Sequence, residues 1–396
     1  MSAKVCVLTS AHPPFDIRIF HKECKSLAAA GYDVILLAPG ERDQIVDGVR
    51  LRAIPKSHTR LGRMTRTVRR IYREALKQAA DVYHFHDPEL IPIGLLLRLR
   101  GRKVIYDVHE DLPRCMPYKP YLPRWVGRFA ARIVELLENG AARVFSGVVA
   151  ATPVIATRFC RLNKRVVVVH NYPLMSELAL APDAAWETRE PTIAYAGSSV
   201  SVQRGALEMV RAMGLLPPDC AATLSLAGPF SPPSLREELA SEPGWKRVQV
   251  CGVLDRAGVV SLLQRARAGF VLQRPEPNAM AGKPIKMFEY MAARIPVISA
   301  DFPLWRQIVD GAGCGLCVDP LNPEKIAEAI HYLLAHPQES EAMGRRGRQA
   351  VVERLNWDRE KKKLLALYEE LVSAVAVGNA ARERVMPAEY KNSGAR

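Results

Sequence analysis

Two charged residues at helical spacing mark the segment PIKMFEYMA as a candidate binding site. Pro284 suits the first turn of a helix, which places Lys286 near the exposed N–H groups at the helix N-terminus. Glu289 follows three residues later, on nearly the same face. A lysine at a helix N-terminus favours an anion such as a diphosphate, and the carboxylate beside it can accept hydrogen bonds from a ribose diol. A solvated helix face with one weak salt bridge is the alternative.

The turn after the strand-like run TIAYA is a second candidate for binding an anion. Gly197 ends that run, where backbone has to approach a phosphate closely, and Arg204 follows within the same turn. A guanidinium can hold two phosphate oxygens at once, and each charge-assisted hydrogen bond contributes about 1.5 to 3 kcal/mol. Arg204 and Lys286 together therefore predict a site that binds a diphosphate without a metal ion. An ordinary tight turn with a surface arginine is the alternative.

Polar residues also follow two strand-like runs in the first half of the chain. His109 comes just after KVIYDV, at the strand end where open α/β sheets bind ligands, although its own loop could equally satisfy it. After DVYHF, the residues His86, Asp87 and Glu89 either orient an acceptor or supply a base, or Asp87 caps the next helix. His84 shares a strand face with His86, but no third ligand at metal spacing follows, so we predict no metal site.

The first loop, SAHPPFDIR, carries His12, Asp16 and Arg18 directly after the opening run KVCVL. Because it follows a strand end, we expect this loop to face the ligand cleft. Arg18 either touches a phosphate of a donor or acceptor, or forms a pair with Asp16 that stabilises the loop.

Short β-branched runs alternate with helical patterns along the chain, which indicates repeated βαβ units. We predict two doubly wound parallel-sheet domains of the α/β class rather than one continuous sheet. The stretch YPLMSELALAPDAAWETREP loses periodicity and is interpreted as a linker. The predicted boundaries are a first domain at 1–172, the linker at 173–190, a second domain at 191–355, a helix at 356–376 and a disordered tail at 377–396.

Taken together, these segments resemble the family-four retaining glycosyltransferases with the GT-B fold, particularly bacterial polysaccharide members. The resemblance spans nearly the whole chain and rests on HPPFDIRIFHKECKSLAAAGYDV, VYHFHDPELIPIG, VIYDVHEDLP and PIKMFEYMAARIPVIS. It implies two Rossmann-like domains facing each other across a cleft, with the helix that begins at Trp357 crossing back to the first domain. It also implies transfer of a hexosyl group from a nucleotide-diphosphate sugar to a glycan acceptor, without a metal or other cofactor.

The resemblance also implies roles for individual residues. Glu289 corresponds to the second glutamate of the family's E-x7-E motif, whereas Ala281 stands where the first is expected. Asn278, or a backbone amide of the turn at Ala281, is the expected substitute for that missing sugar contact. Arg204 replaces the lysine usual in the glycine-rich turn, and the imidazole of His109 is expected beside the donor sugar.

The charge of the chain is concentrated in its first half. The formal net charge is +15, and in residues 1–172 alone 29 Lys and Arg against 15 Asp and Glu give +14. Basic residues recur at helical spacing in LGRMTRTVRRIYREALKQ and in YLPRWVGRFAARIV, each beside apolar residues. We therefore predict that the first domain rests on an anionic membrane surface that carries a lipid-linked acceptor. Alternatively, the apolar sides pack on the sheet and the arginines are solvated. The basic residues are Arg63, Arg66, Arg70, Arg73, Lys77, Arg124, Arg128 and Arg132.

The composition of the chain limits which other classes of protein it could belong to. Hydrophobic residues make up 48% and charged residues 24%, which are values of a folded globular protein. The opening MSAKVCVLTS resembles no secretion signal, and no apolar run reaches the roughly 18 residues of a membrane helix. We therefore expect a cytoplasmic protein that is peripheral on the inner face of the cytoplasmic membrane. The pair Cys314 and Cys317 has no second pair or histidine, which favours a buried strand over zinc.

Two other functions remain open at the level of sequence. A sugar-nucleotide epimerase of related architecture would also bind a nucleotide diphosphate, and release of that diphosphate to an acceptor would separate the two enzymes. A nucleic-acid-binding protein would use the basic first domain, but we find no RNA-recognition aromatic pattern and no helix-turn-helix pattern, so we expect no nucleic-acid partner.

Overall fold

The structure is a computed structural model and describes residues 2–57, 59–118, 123–178 and 186–385. The chain divides into two compact units, of which the first comprises residues 1–170 together with the segment from 360 onward, and the second comprises residues 171–359. Part of the predicted linker, 179–185, and the end of the predicted tail, 386–396, lie outside the described residues.

The first unit contains an eight-stranded sheet in the order β3-β4-β2-β1-β5-β6-β7-β8. Its strands are parallel except β3, which pairs antiparallel with β4. The inner strands are buried on both faces, which explains their nearly continuous β-branched and apolar residues. The strands are β1 (Lys4–Leu8), β2 (Asp33–Pro39), β3 (Gln44–Val46), β4 (Val49–Ile54), β5 (Val82–Phe85), β6 (Lys103–Val108), β7 (Gly147–Ala150) and β8 (Val166–Val168).

Helices connect and cover the strands of this sheet. They are a π-helical segment (Ile17–Cys24), α1 (Lys25–Ala29), α2 (Arg60–Gly62), a π-helical turn (Arg63–Thr67), α3 (Val68–Gln78), a 3-10 turn (Pro88–Leu90), α4 (Ile91–Leu99), α5 (Leu112–Cys115), a 3-10 turn (Met116–Tyr118), α6 (Arg124–Val144) and α7 (Pro153–Phe159).

The second unit contains a six-stranded parallel sheet in the order β11-β10-β9-β12-β13-β14. Its strands are β9 (Thr192–Ala196), β10 (Thr223–Ala227), β11 (Val248–Gly252), β12 (Ala268–Val271), β13 (Val297–Ala300) and β14 (Gly315–Val318). Its helical segments are α8 (Met175–Leu178), 3-10 turns at Trp186–Thr188, Val202–Arg204 and Pro243–Arg247, α9 (Ala206–Leu215), α10 (Leu235–Ala240), α11 (Arg256–Arg265), α12 (Pro277–Ala281), α13 (Ile285–Ala292), α14 (Pro303–Ala312), α15 (Pro323–Ala335) and α16 (Pro337–Glu353).

The prediction of two α/β domains with separate parallel sheets is confirmed. Strand order reverses at β1 and β5 in the first unit and at β9 and β12 in the second. At such a switch point the loops after adjacent strands diverge and leave a crevice at the carboxyl ends of the strands. The first loop and the His86 segment therefore lie at one switch point, and Gly197 lies at the other.

The last helix, α17 (Trp357–Val385), packs in the first unit from Glu360 onward. Its Tyr368 hydroxyl lies 2.8 Å from His84 Nδ1, and the Glu360 carboxylate accepts a 2.9 Å hydrogen bond from the His170 amide. The predicted return of this helix to the first domain is thus present. The helix continues to Val385, so residues 377–385 are helical where we expected the tail to begin.

The two basic segments differ in how they meet the rest of the protein. On α3, Ile71 is buried in the core, as the alternative interpretation expected. On α6, by contrast, an apolar stripe faces outward, with Trp125 74% and Phe129 65% exposed. Among the described residues, no helix combines the length and the hydropathy needed to cross a bilayer. The other exposed apolar residues of α6 are Ile133, Leu136, Leu137 and Val144.

Candidate active site

A tight turn follows β9 in the second unit. Gly197 begins this turn, and a Cβ atom there would lie 2.8 Å from the Tyr195 hydroxyl and 3.0 Å from Lys286 Nζ. Glycine is therefore needed for these polar groups to approach the backbone this closely. Gly205, with φ of 76°, then ends the 3-10 turn that carries Arg204. The turn thus brings the predicted residues Gly197, Arg204 and Lys286 together.

Lys286 lies on the first turn of α13 and is buried. Its Nζ atom lies 3.7 Å from the centre of the Tyr195 ring, in the position of a cation–π contact. Burial, followed by the positive charge of Arg204, holds the pKa of Lys286 well below its usual range, while Glu289 opposes the shift. When it is protonated, a lysine so poorly hydrated interacts strongly with an anion, because little water has to be displaced from it.

Glu289 is also buried on α13, but it has a partner that the sequence did not suggest. Its Oε1 atom accepts a 2.6 Å hydrogen bond from Nη1 of Arg256, at the start of α11. The second carboxylate oxygen retains the capacity to accept hydrogen bonds from a diol, while Arg256 fixes the orientation of the group. The only sequence signal for Arg256 was its place directly after Asp255, which caps α11.

The turn expected to replace the missing sugar contact at Ala281 already uses its Gly282 backbone groups in hydrogen bonds within the protein. The Gly282 amide donates a 3.2 Å hydrogen bond to the Ala279 carbonyl, and the Gly282 carbonyl accepts one of 2.8 Å from the Trp305 indole. The Gly282 amide is therefore not the available donor that we expected. Asn278 lies exposed on α12, four residues before this turn.

In the first unit, Asp87 anchors the loop that follows β1. Its Oδ2 atom accepts hydrogen bonds from the Thr9 hydroxyl at 2.7 Å and from the Ser10 amide at 2.6 Å. Glu89 accepts a 3.0 Å hydrogen bond from the Ser10 hydroxyl and lies 2.7 Å from Arg63 Nε. Asp87 occupies the position before the 3-10 turn, but its side chain does not cap it. The interpretation of Asp87 as a helix cap is therefore wrong.

Asp16 caps the π-helical segment at the end of the same loop. Its Oδ1 atom accepts hydrogen bonds from the amides of Arg18 and Ile19, and His12 Nδ1 lies 3.2 Å from Oδ2. Burial alone would raise the pKa of Asp16, but the hydrogen bonds from His12 and Ile19 hold it well below its usual range. For His12, burial would lower the pKa, but Asp16 and Asp87 raise it overall. The loop therefore favours a protonated His12 beside Asp16.

Arg18 lies in the interior of the first unit rather than on the surface of the loop. Its Nη2 atom lies 3.0 Å from both carboxylate oxygens of Asp107, and Nη1 donates a 2.9 Å hydrogen bond to the Val169 carbonyl. Arg18 thus pairs with Asp107, not with Asp16, and its buried guanidinium presents no exposed face to a phosphate. Both sequence interpretations of Arg18 are corrected by this placement.

Four histidines lie close together around Asp107, on or after the neighbouring strands β1, β5 and β6. His86 Nδ1 is 3.1 Å from His109 Nε2, and the rings of His12 and His109 are 5.3 Å apart. His84 stacks on His86 with ring centres 4.7 Å apart. The predicted residues His86 and His109 therefore belong to one cluster, in which His12 and His109 are partly exposed whereas His84 and His86 are buried.

Two carboxylates that sequence reasoning missed complete this cluster. Glu23 and Asp107 bring ligand atoms within 4.8 Å of those of His84 and His86, and all four side chains are buried. The expectation that His84 and His86 lack a third ligand is therefore wrong, whereas the absence of a metal ion stays a prediction. Arg18 already contacts both carboxylates and so places a positive charge within the group.

Several solved structures share this fold over nearly the whole chain. A sucrose-phosphate synthase from Thermosynechococcus elongatus has a TM-score of 0.77 at 18% identity, covering 94% of this chain and 100% of that one. HepE from Anabaena, solved with UDP and glucose, has a TM-score of 0.69 at 14% identity, covering 93% and 100%. A UDP-forming α,α-trehalose-phosphate synthase from Burkholderia xenovorans has a TM-score of 0.67 at 13% identity, covering 94% and 100%. No curated protein matches the chain.

Two sequence families match the two units in turn. The glycosyl transferase 4-like domain matches residues 18–172, and the glycosyl transferases group 1 family matches residues 190–336. The chain therefore belongs to the family-four glycosyltransferases with the GT-B fold. It is a glycosyltransferase rather than an epimerase or a dedicated nucleic-acid-binding protein, and the expected absence of a nucleic-acid partner stays a prediction.

Proposed function

We propose that this enzyme transfers a hexosyl group from a nucleotide-diphosphate sugar to a glycan acceptor, with retention of anomeric configuration and without a metal ion. The observation that carries the proposal is the buried Lys286 beside Arg204, at the switch point of the sheet in the second unit. Negative charge develops on the leaving diphosphate during transfer, and two preorganised cations stabilise it without a metal. The solved HepE complex with UDP and glucose is consistent with such a donor.

Four side chains near the start of α13 are each assigned to one part of the proposed donor. The diphosphate contacts Lys286 and Arg204, and the ribose contacts the Glu289 oxygen that Arg256 does not hold. Asn278 contacts the sugar, because Ala281 stands where the family has its first glutamate. Arg256 holds Glu289 in position through their 2.6 Å hydrogen bond. Positioning of this kind matters because a displacement of about 1 Å can reduce turnover about 100-fold.

A thermal-shift and nucleotide-release screen against UDP-, GDP-, ADP- and dTDP-sugars tests the donor assignment. Lys286→Met and Arg204→Met are the test variants, and Lys325→Met and Arg211→Met are matched controls, since both control residues form exposed pairs with glutamates. We expect one nucleotide to stabilise the protein, and we expect the effect to be lost in the test variants only. Equal stabilisation of all four variants would contradict the assignment.

We also propose that the acceptor is lipid-linked, and that the first unit rests on the inner face of the cytoplasmic membrane through α6. This helix is about 30 Å long at 1.5 Å per residue and exposes apolar side chains along its length. Arg124, Arg128 and Arg132 lie exposed beside that stripe, and basic residues near an anionic surface contribute about 1 kcal/mol each. Apolar insertion and charge attraction together suit an anionic bilayer.

Vesicle sedimentation tests the membrane proposal separately from catalysis. We expect the protein to pellet with phosphatidylglycerol vesicles and to remain in solution with phosphatidylcholine vesicles. The double substitution Trp125→Ser and Phe129→Ser should abolish pelleting, whereas Val253→Ser, which removes an apolar side chain that is 76% exposed in the second unit, should not. If the wild-type protein instead forms dimers through α6 and ignores vesicles, the stripe is a protein interface and the membrane proposal fails.

A further inference from the structure

The segment that carries His109, residues 109–118, leaves the sheet after β6 and forms two short helical turns. The Leu112 amide donates a 3.0 Å hydrogen bond to the Glu110 carbonyl, and the Cys115 amide donates one of 3.1 Å to the Asp111 carbonyl. Local bonds of this kind fix the shape of a segment but not its place relative to the sheet. Contacts with other elements therefore decide where the His109 segment lies.

A buried ion pair between α6 and α7 contacts the chain on both sides of His109. Arg158 on α7 donates a 2.6 Å hydrogen bond through Nη2 to the Glu138 carboxylate on α6, and the same Nη2 atom lies 3.9 Å from Asp111 Oδ1. The other Glu138 oxygen accepts a 2.8 Å hydrogen bond from the Tyr106 hydroxyl. Tyr106 lies three residues before His109 and Asp111 two residues after it, so the pair holds the chain at both points.

The surroundings of this ion pair hold Arg158 in one orientation. Glu138 is fully buried and Arg158 nearly so, and the guanidinium carbon lies 4.3 Å from the centre of the Phe159 ring. Burial raises the pKa of Glu138, and the charge of Arg158 opposes that shift. Without a cation the carboxyl group would be buried and uncompensated, which is strongly unfavourable. The guanidinium is therefore fixed where its Nη2 atom faces both Glu138 and Asp111.

Helix α6 also meets the other end of the His109 segment, at Gly127. A Cβ atom at Gly127 would lie 2.9 Å from both the Met116 carbonyl oxygen and Pro117 Cα, which is closer than any side chain tolerates. Glycine therefore lets α6 pack directly on the backbone of the 3-10 turn that ends the segment. At Gly140, on the same helix, a Cβ atom would have no described heavy atom within 4 Å apart from its chain neighbours and the helix backbone.

We propose that Arg158 and Gly127 are positioning residues for His109, and that α6 is the support they share. Arg158, held by Glu138, acts on the segment through Asp111, and Gly127 acts on it through the Met116 backbone. Neither residue touches substrate. The catalytic consequence rests on the proposed function, in which His109 lies beside the donor sugar. A displacement of about 1 Å at a reacting centre can reduce turnover about 100-fold, so the place of this segment matters for the rate.

NMR of the His109 ring, at one fixed pH and without substrate, tests the positioning role separately from the proposed function. The ring signal is assigned by its loss in His109→Gln. Gly127→Ala should shift this signal, because the new methyl group displaces the Met116 backbone while no charge changes. Gly140→Ala is the matched control on the same helix and should leave the His109 signal in place, since its methyl group has free space.

Arg158→Lys tests the ion pair without removing its charge. The lysine keeps a cation opposite Glu138, so the variant should still fold, which its melting temperature checks. A lysine is a single point charge and does not reproduce the guanidinium that faces Glu138 and Asp111 together, so the His109 signal should shift. Arg165→Lys is the matched control, because Arg165 forms an exposed pair with Glu370 and should leave the signal unchanged.

Turnover with the donor selected by the binding screen then separates positioning from binding. The kcat of Gly127→Ala and of Arg158→Lys should fall about 10-fold while the donor KM changes less than about twofold, because the proposed nucleotide contacts lie in the second unit. Gly140→Ala and Arg165→Lys should retain the kcat of the wild type. A His109 signal that stays in place in Gly127→Ala or in Arg158→Lys, or one that moves equally in the controls, would overturn the positioning role.

Discussion

Binding of the nucleotide in the second unit should be accompanied by uptake of a proton from solution at Lys286. In the empty site, burial and then Arg204 hold the pKa of Lys286 well below its usual range. A diphosphate places negative charge beside Nζ and raises that pKa again, because an opposite charge favours the protonated lysine. Between the two pKa values, the occupied site therefore holds more protons than the empty one, and affinity falls as pH rises through the pKa of the empty site.

The number of protons taken up on nucleotide binding is limited by the single group involved, Lys286. Proton uptake can reach one per nucleotide, and calorimetry in buffers of different ionisation enthalpy measures it as a slope. Lys286→Arg replaces the lysine with a permanently charged group, so the variant should bind without proton uptake. Lys286→Met removes a charge-assisted hydrogen bond of about 1.5 to 3 kcal/mol, which corresponds to roughly 10- to 150-fold weaker binding.

Two results would refute this reasoning. A zero slope for the wild type would mean that Lys286 is fully charged before the nucleotide binds. An equal slope in Lys286→Arg would mean that another group takes up the proton. The control Lys325→Met, at an exposed lysine paired with Glu328, should retain both the affinity and the slope of the wild type.

Three further predictions follow from particular contacts. Arg256→Met should weaken binding of a nucleoside diphosphate several-fold but leave pyrophosphate binding unchanged, because Arg256 acts on the ribose through Glu289. Competition titrations measure both affinities, and equal losses for the two ligands would disprove this role. Gly197→Ala should reduce nucleotide affinity more than it reduces melting temperature, since the new methyl group would lie 3.0 Å from Lys286 Nζ, and unchanged affinity would contradict the packing. Glu360→Gln should lower stability near neutral pH: burial would raise the pKa of Glu360, but hydrogen bonds from the His170 side chain and from Lys363 hold it below 4.5. That stabilisation is present above pH 4.5 and is lost as pH falls through the folded-state pKa, so denaturation curves of variant and wild type should converge in acid.

Local patterns in the sequence predicted the fold and one half of the site. The alternation of strands and helices indicated two parallel sheets, and the spacing of Lys286 and Glu289 placed both on one face of a helix. The residues that the sequence did not predict are partners from distant elements. Arg256 reaches Glu289 from α11, thirty-three positions away in the chain, and nothing in the local pattern of either segment indicates that contact.

The histidine cluster shows a second limit of sequence reasoning. Arg18 and Glu23 are five residues apart, a spacing that an α-helix does not align, but the segment is π-helical and its wider turn brings them to one side. The resulting cluster supplies ligands that no sequence spacing predicted. On α6, likewise, the pattern indicated an amphipathic helix but not which face the rest of the unit would cover, because packing decides that.

Analysis of the product tests the central claim, that this chain transfers a sugar from a nucleotide donor. The enzyme is incubated with the donor selected by the binding screen, ¹³C-labelled at its anomeric carbon, and with a polyprenyl-diphosphate-linked saccharide, and the mixture is followed by NMR. We predict equimolar nucleotide diphosphate and a new glycosidic bond with the anomeric configuration of the donor. Diphosphate release with only free sugar, an inverted linkage, or an epimerised donor without release would contradict the account.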